Sequence, residues 1–428
     1  MGNSIELVVE KHTKRIRHGL EVLPTLRHGV PPALGNKRWT GELILSTYEQ
    51  ALTGELPKNG LEYCVGSSGG GFDILGWSET GEHSKIDEES IDLSLSLNKK
   101  EEGVRLRVPL PIYGGGMSFG SISLNFMLAR ARAAKQLGTY TCTGEGGYPD
   151  QLVPYKDNVI TQVATGMFGV REETIQYAPI VEFKYAQGAK PGLGGHLLAD
   201  KVTSEVAKMR ESTMFTSLYS PFPFHSVYSV EDHKKHVDWI KTVNPRALVS
   251  VKVSTPTDVD MVAIGSYYAG ANIIHIDGGY GGTGAAPEIA KKNIAMPVEY
   301  AIPKVHRYLV SEGVRDKVVL MASGGIRTAD DVAKAIALGA DGCVVATAEA
   351  VAVGCTHCGN CERGRGCQVG ITTTDPELSM FIDPAWGETR IVNLFHAWEK
   401  RLRKVLARYG FGSIRELRGR TDLLVRYK

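Results

Sequence analysis

From residue 106 onward, short runs of aliphatic and β-branched residues alternate with stretches of helical period, and this alternation leaves few folds open. Seven such runs stand out: VPLPIYG (108–114), TYTC (139–142), VEFKY (181–185), ALVSVKVS (247–254), NIIHID (272–277), KVVLMAS (317–323) and GCVVATA (342–348). Most end in a loop rich in Gly, Ser or Thr. After KVVLMASGG, Thr328 can cap a helix whose apolar positions Ala329, Val332, Ala333 and Ile336 share one face, ending near Gly339. Ser229 followed by Asp232 has the form of a capping box for a helix preceding ALVSVKVS. Apolar strands alternating with helices imply a parallel sheet covered on both faces. Seven runs, one short of eight, favour a closed (β/α)8 TIM barrel, an α/β fold whose sites lie at the C-terminal ends of the strands.

The 428 residues accommodate one such barrel and an extension. Residues 1–105 differ in texture, with a Gly/Ser run at 66–71 and a charged stretch at 84–102. They are expected to wrap or cap a barrel domain spanning 106–428. Near the C-terminus, Ile391, Leu394, Phe395, Trp398, Leu402, Val405 and Leu406 form the core-facing stripe of a long helix ended by Gly410.

Charge indicates no partner: 49 basic and 47 acidic residues leave +2, which gives no electrostatic case for nucleic acid or a membrane surface. No apolar run reaches the roughly 18 residues of a membrane span. The N-terminus lacks a secretory pattern, and Glu6 stands where myristoylation needs Ser or Thr, so a cytoplasmic protein is expected.

Four of the seven cysteines, Cys355, Cys358, Cys361 and Cys367, crowd into one segment as C-x2-C-x2-C-x5-C. This spacing favours an inserted iron–sulfur loop, with a structural zinc site as the alternative. Arg363 and Arg365 could offset its negative charge. Cys64, Cys142 and Cys343 lie in apolar surroundings and are expected to be packed thiols.

Other residues point to a flavin. Backbone N–H groups of Ser323, Gly324 and Gly325, with Ala346 and Thr347 one strand later, could grip a phosphate, as paired loops of a barrel do; a tight strand–helix turn is the alternative. The loop GGYGGTGAAP (278–287), with Gly281 and Gly282, would let backbone approach a flat ligand. Lys184 and Lys252 stand in apolar strands, where a lysine is costly without a partner. A positive charge there would suit the N1–C2 edge of a reduced flavin. Glu145, Gln187, Lys190, His196 and Arg210 complete the set of polar residues in or near these loops.

In order along the chain, PIYGGGMSFG, TGEGG, QVATGMFGV, FKYAQGAKPGLGGHLLADKV, DGGYGGTGAAP and CQVGITTTDPELS resemble the FMN-binding synthase domain of glutamate synthase, in its archaeal-type stand-alone form. The resemblance implies FMN-dependent reductive amination: 2-oxoglutarate and ammonia condense to 2-iminoglutarate, which reduced FMN converts to L-glutamate. Electrons would arrive through an iron–sulfur cluster. By motif, Met117, Ser118, Gln162, Lys184 and Lys252 would contact the flavin ring, with Ser323, Gly324, Gly325 and Thr347 on its phosphate. Gln187, Lys190, His196 and Arg210 would surround 2-oxoglutarate, with Glu145 near the reacting carbon. Cys355, Cys361 and Cys367 align with the ligands of the family's [3Fe–4S] cluster.

The sequence departs from that pattern at His196, where the family's other branches place Gln, and at Met167, where Arg is usual. Cys358 and a longer last spacing leave [4Fe–4S] open. Residue 2 is Gly2, not a glutaminase cysteine, so ammonia is expected from a separate glutaminase subunit and electrons from ferredoxin or an NAD(P)H-oxidising subunit, within an oligomer. The alternatives are an N-methylglutamate synthase using methylamine, an FMN enzyme for another 2-oxo acid, or an electron-transfer subunit without catalysis.

Overall fold

The computed structural model describes residues 35–36, 38–57, 71–79, 86–281 and 286–426; Cys64, Gly282 and most of the Gly/Ser run lie outside them. Eight parallel strands form the central sheet: β1 (Ile112–Gly114), β2 (Thr141–Cys142), β3 (Val159–Ala164), β4 (Ile180–Lys184), β5 (Leu248–Ser254), β6 (Ile273–Asp277), β7 (Val319–Ser323) and β8 (Gly342–Val345). From β2 to β8 each strand pairs with the next in sequence, and β8 pairs with β1. The ring closes where the Gly114 N–H donates to the Tyr140 carbonyl at 2.8 Å and Gly116 bridges Cys142. Sequence reading found every strand except β3. Its Thr161 and Gln162 interrupt the apolar run VITQVA, yet all six positions are buried.

Strand periodicity organises the barrel interior. Alternate residues face inward, and three neighbouring strands place an apolar residue first and polar ones later: Ile180–Glu182–Lys184, Leu248–Ser250–Lys252, Ile273–His275–Asp277. The first residues of these strands form an apolar floor with Tyr113, Val319 and Met321. Leu95, Leu97 and Val108 plug it from below, carried by an antiparallel pair of Leu95–Ser96 with Arg107–Val108. That pair straddles residue 105, so the chain's earlier part is built into the barrel floor. The outward residues, among them Val251, Val253, Ile274, Ile276 and Leu320, pack under the helices.

The helices start as the sequence indicates. Thr328 Oγ1 accepts from the Asp331 N–H at 3.1 Å, opening Ala329–Ala337. Ser229 caps Val230–Val243, but Asp232 accepts from the Tyr228 N–H rather than from that of Ser229, so the box is only half formed. Helix Pro384–Arg408 buries the whole expected stripe. From it, Arg390 donates to the Ala352 carbonyl at 2.9 Å and the Tyr48 carbonyl at 2.8 Å, fastening helix Gly41–Thr53 to the barrel. No helix among the described residues is long and apolar enough to cross a membrane.

Candidate functional site

The polar upper half of the interior is a continuous network. The Glu182 carboxylate accepts from Gln162 Nε2 at 2.8 Å and Ser250 Oγ at 3.0 Å, and faces His275 Nδ1 at 3.0 Å. His275 Nε2 lies 2.7 Å from Ser323 Oγ, which donates to Asp277 Oδ1 at 2.5 Å. Asp277 Oδ2 accepts from the Gly188 N–H at 2.8 Å and pairs with Lys252 at 3.6 Å. Burial alone would raise the Glu182 carboxyl, but His275 and its hydrogen bond outweigh that and hold it at about 2. Lys252 likewise stays above its usual range: burial opposes its charge, and Asp277 and Glu182 more than offset this. Glu182, Ser250, His275 and Asp277 were missed from sequence, although reading the strand runs with a period of two would have placed them inside.

At the barrel mouth, Glu145 gathers the sequence-predicted cations. Lys184 Nζ lies 3.0 Å from its carboxylate, and Ser220 donates to the other oxygen. Arg210 is 5% exposed; it donates to Ser118 Oγ at 3.1 Å, the Phe119 carbonyl at 3.0 Å and the Glu145 carbonyl at 3.3 Å. Its Nε is buried without a partner. Burial lowers its guanidinium to about 10. Lys190 is lowered to about 8, by burial first and then by Lys184. Its Nζ lies 2.8 Å from His196 Nδ1, and burial together with Lys190 keeps that histidine below its usual value. Gln187 is half-buried in the same turn, its carbonyl accepting the Lys190 N–H at 3.3 Å. Met167 is 45% exposed at the rim and stays out of this cluster.

The loops above close tightly. A Cβ on Gly324, whose φ is +90°, would fall 2.6 Å from the Gly278 amide nitrogen and nearer still to its carbonyl, so this turn requires glycine. A Cβ on Gly116 would meet Gln162 Nε2 at 2.8 Å. Gly281 lies against Ala189 and Asp277. Thr347 starts a short helix after Ala346, held by a buried pair: Arg130 Nε to Glu349 Oε2 at 2.7 Å, with Arg130 also donating to the Gly115 carbonyl at 2.5 Å. Arg327 beside Gly325 is held by Asp73 and Asp331, tying the segment before the barrel to the same loop. A cavity of about 20 Å³ between Arg38, Tyr280 and Gly324–Gly325 has room for little more than a water.

The cysteine segment follows the helix after β8. Cys367 is buried and the other three are half-buried. Burial, and then the closeness of Cys361, pushes the Cys355 thiol up, with Cys367 and Cys358 adding to it. These four thiols are the residues that could hold a metal group here. Among the described residues, no three His, Cys, Asp or Glu side chains are spaced to clasp a single metal ion. A cluster, with sulfides between its irons, spreads its ligands farther apart. The His357 N–H points at Cys355 Sγ at 3.4 Å, the kind of amide contact that cluster sulfurs accept. Arg365 does not serve the thiols as expected: it pairs with Asp375 and, at 3.2 Å, Glu377. Lys201, missed from sequence, stands there instead. The segment also reaches the barrel mouth, where Glu362 lies 3.6 Å from His196.

Residues 80–412 match the conserved region of glutamate synthases. The chain belongs to that family. It is 41% identical to the archaeal-type glutamate synthase [NADPH] of Thermotoga sp. (strain RQ2), over 79% of this chain and 66% of that protein. It is 42% identical to the archaeal glutamate synthase [NADPH] of Methanocaldococcus jannaschii, over 79% of this chain and 67% of that one. The chain thus spans about two thirds of the length of these relatives. Among solved structures, a flavocytochrome b2 mutant with pyruvate bound shares the fold at 14% identity and a TM-score of 0.52, covering 90% of this chain and 82% of the other. A lactate oxidase from Pediococcus acidilactici does so at 14% and 0.53, covering 90% and 94%.

Proposed function

We propose that this glutamate synthase family member performs the synthase reaction: 2-oxoglutarate and ammonia form 2-iminoglutarate, which is reduced to L-glutamate at an FMN bound over the barrel mouth. One observation carries the reading: at the C-terminal rim Lys184 pairs with the Glu145 carboxylate at 3.0 Å, Arg210 donates to the same residue's backbone carbonyl, and the Glu145 charge also acts on Lys190 and Arg210. That arrangement fits a small dicarboxylate beside an acid–base group. Lys190 and the open Nε edge of Arg210 would answer the two substrate carboxylates. Glu145, steadied by Lys184 and Ser220, would exchange the proton that imine formation and reduction require. Gln187 and His196 would complete the substrate wall.

Bound FMN would supply the two-electron reduction. The Gly324 and Gly325 backbone and Thr347 would hold its phosphate, with Met117, Ser118, Gln162, Lys184 and Lys252 around its ring. Gln162, its amide nitrogen committed to Glu182, would offer its carbonyl to a ring N–H. Cys355, Cys361 and Cys367, with Cys358 as a fourth candidate, would carry an iron–sulfur cluster feeding electrons inward. A glutaminase and an electron-donor protein, ferredoxin or an NAD(P)H oxidoreductase, would be the partners; both relatives carry NADPH in their names. The test is cofactor analysis of anaerobically purified protein. FMN with about three or four irons per chain supports the reading; colourless protein holding zinc and no flavin overturns it.

A further inference from the structure

Lys201 is 2% exposed, and among the described residues it makes no ion pair with a carboxylate. Its neighbour Asp200 is directed elsewhere, accepting the Gly364 N–H at 2.9 Å. The Lys201 ammonium instead donates to three carbonyls from two chain segments: Cys361 at 2.6 Å, Thr372 at 2.9 Å and Ser121 at 3.5 Å. Three donors facing three carbonyls suit a charged –NH3+ group. Burying such a charge without an anion is costly. Burial lowers the ammonium, with Cys361, Cys367, Asp200 and Glu362 opposing that in part, and the bond to the Cys361 carbonyl seats it against the cysteine segment.

We propose that Lys201 is the fixed counter-charge of the cysteine segment, clamping it at Cys361 and Thr372 and biasing a bound cluster toward its reduced state. The inference rests on the iron–sulfur reading above. Its physical basis is that a buried positive charge beside thiolates lowers the energy of an added electron far more than an exposed one does. Arg365 cannot take this role, being 63% exposed and engaged by Asp375 and Glu377. Lys201 is a positioning residue: it touches the segment's backbone and none of the reacting atoms of the proposed amination.

The test uses the full chain, anaerobically purified, as wild type, Lys201→Arg, Lys201→Met and Lys201→Gln. The cluster is reduced by one electron with dithionite and followed by electron paramagnetic resonance, while hydrogen exchange is read at 361–373. Lys201→Met should shift the midpoint potential to more negative values and speed exchange across the segment. Lys201→Arg should retain a potential near that of wild type. If Lys201→Met loses its iron, Lys201→Gln, which keeps two donors without the charge, carries the measurement. Iron lost from both neutral variants but kept by Lys201→Arg also supports the proposal. Equal potentials and equal exchange in wild type, Lys201→Met and Lys201→Gln would overturn it. Wild-type protein without iron would instead sink the iron–sulfur reading itself, and with it the electronic half of the proposal.

Discussion

Replacing Glu182 by Gln tests whether the barrel interior is organised around one buried charge. The carboxylate receives Gln162 and Ser250, faces His275, and is one of two anions supporting Lys252. An amide at this position offers one acceptor oxygen and turns an –NH2 group toward donors, so at least one partner is left unsatisfied and Lys252 keeps only Asp277. Breaking a buried charged network in this way costs about 3–5 kcal/mol. With an unfolding entropy of about 2.1 cal/mol/K per residue, a chain of this length should lose about 3–6 °C of Tm. The pH dependence has a definite sign. The carboxyl is held at about 2 in the fold against 4.5 ordinarily, so its stabilisation is complete above 4.5 and lost as pH falls through 2. Thermal unfolding of wild type and Glu182→Gln should therefore differ at neutral pH and converge in acid. Released-flavin fluorescence should rise in the variant, because Gln162 loses its anchor. Equal Tm values at neutral pH, or a gap that widens in acid, would refute the reasoning.

Three further outcomes follow from the rim and the loops. Because Lys190 is lowered to about 8 from 10.5, its substrate-binding charge should fade as pH rises through 8; KM for 2-oxoglutarate should climb there in wild type and stay flatter in Lys190→Arg. The same shift makes this group's contribution to stability increase between those two values, since the unfolded chain then binds the extra proton. Gly324→Ala should lose FMN on gel filtration, as its Cβ collides with Gly278 at a φ of +90°; full flavin retention would show that the turn can relax. Cys358→Ser should leave iron and sulfide content unchanged if Cys355, Cys361 and Cys367 suffice, and should reduce it if the fourth thiol is a ligand.

The barrel was legible because most of its strands are unbroken apolar runs between helical periods. β3 was not, since Thr161 and Gln162 break its apolar run, and Gln162 turns a polar side chain into an interior that sequence alone does not reveal as polar. For the same reason His275 and Glu182 passed unnoticed inside NIIHID and VEFKY, where they read as breaks in an apolar pattern. Lys184, Lys190, Arg210 and Glu145 were legible by motif, and the fold brings them together from three separate segments. The charge beside the cysteines was assigned to Arg363 and Arg365 by proximity in sequence; Lys201, over 150 positions away, reaches them only through the fold. Long-range contacts of this kind leave no local signature.

The measurement that tests the central claim most directly is reoxidation of the reduced flavoprotein without oxygen. Protein photoreduced anaerobically is mixed with 2-oxoglutarate and ammonium, and its flavin absorbance is followed while L-glutamate is assayed. The account predicts that the flavin band returns only when both substrates are present, with one glutamate formed for each two electrons lost. A flavin that stays reduced with both present, or is reoxidised by 2-oxoglutarate alone without glutamate, would contradict it.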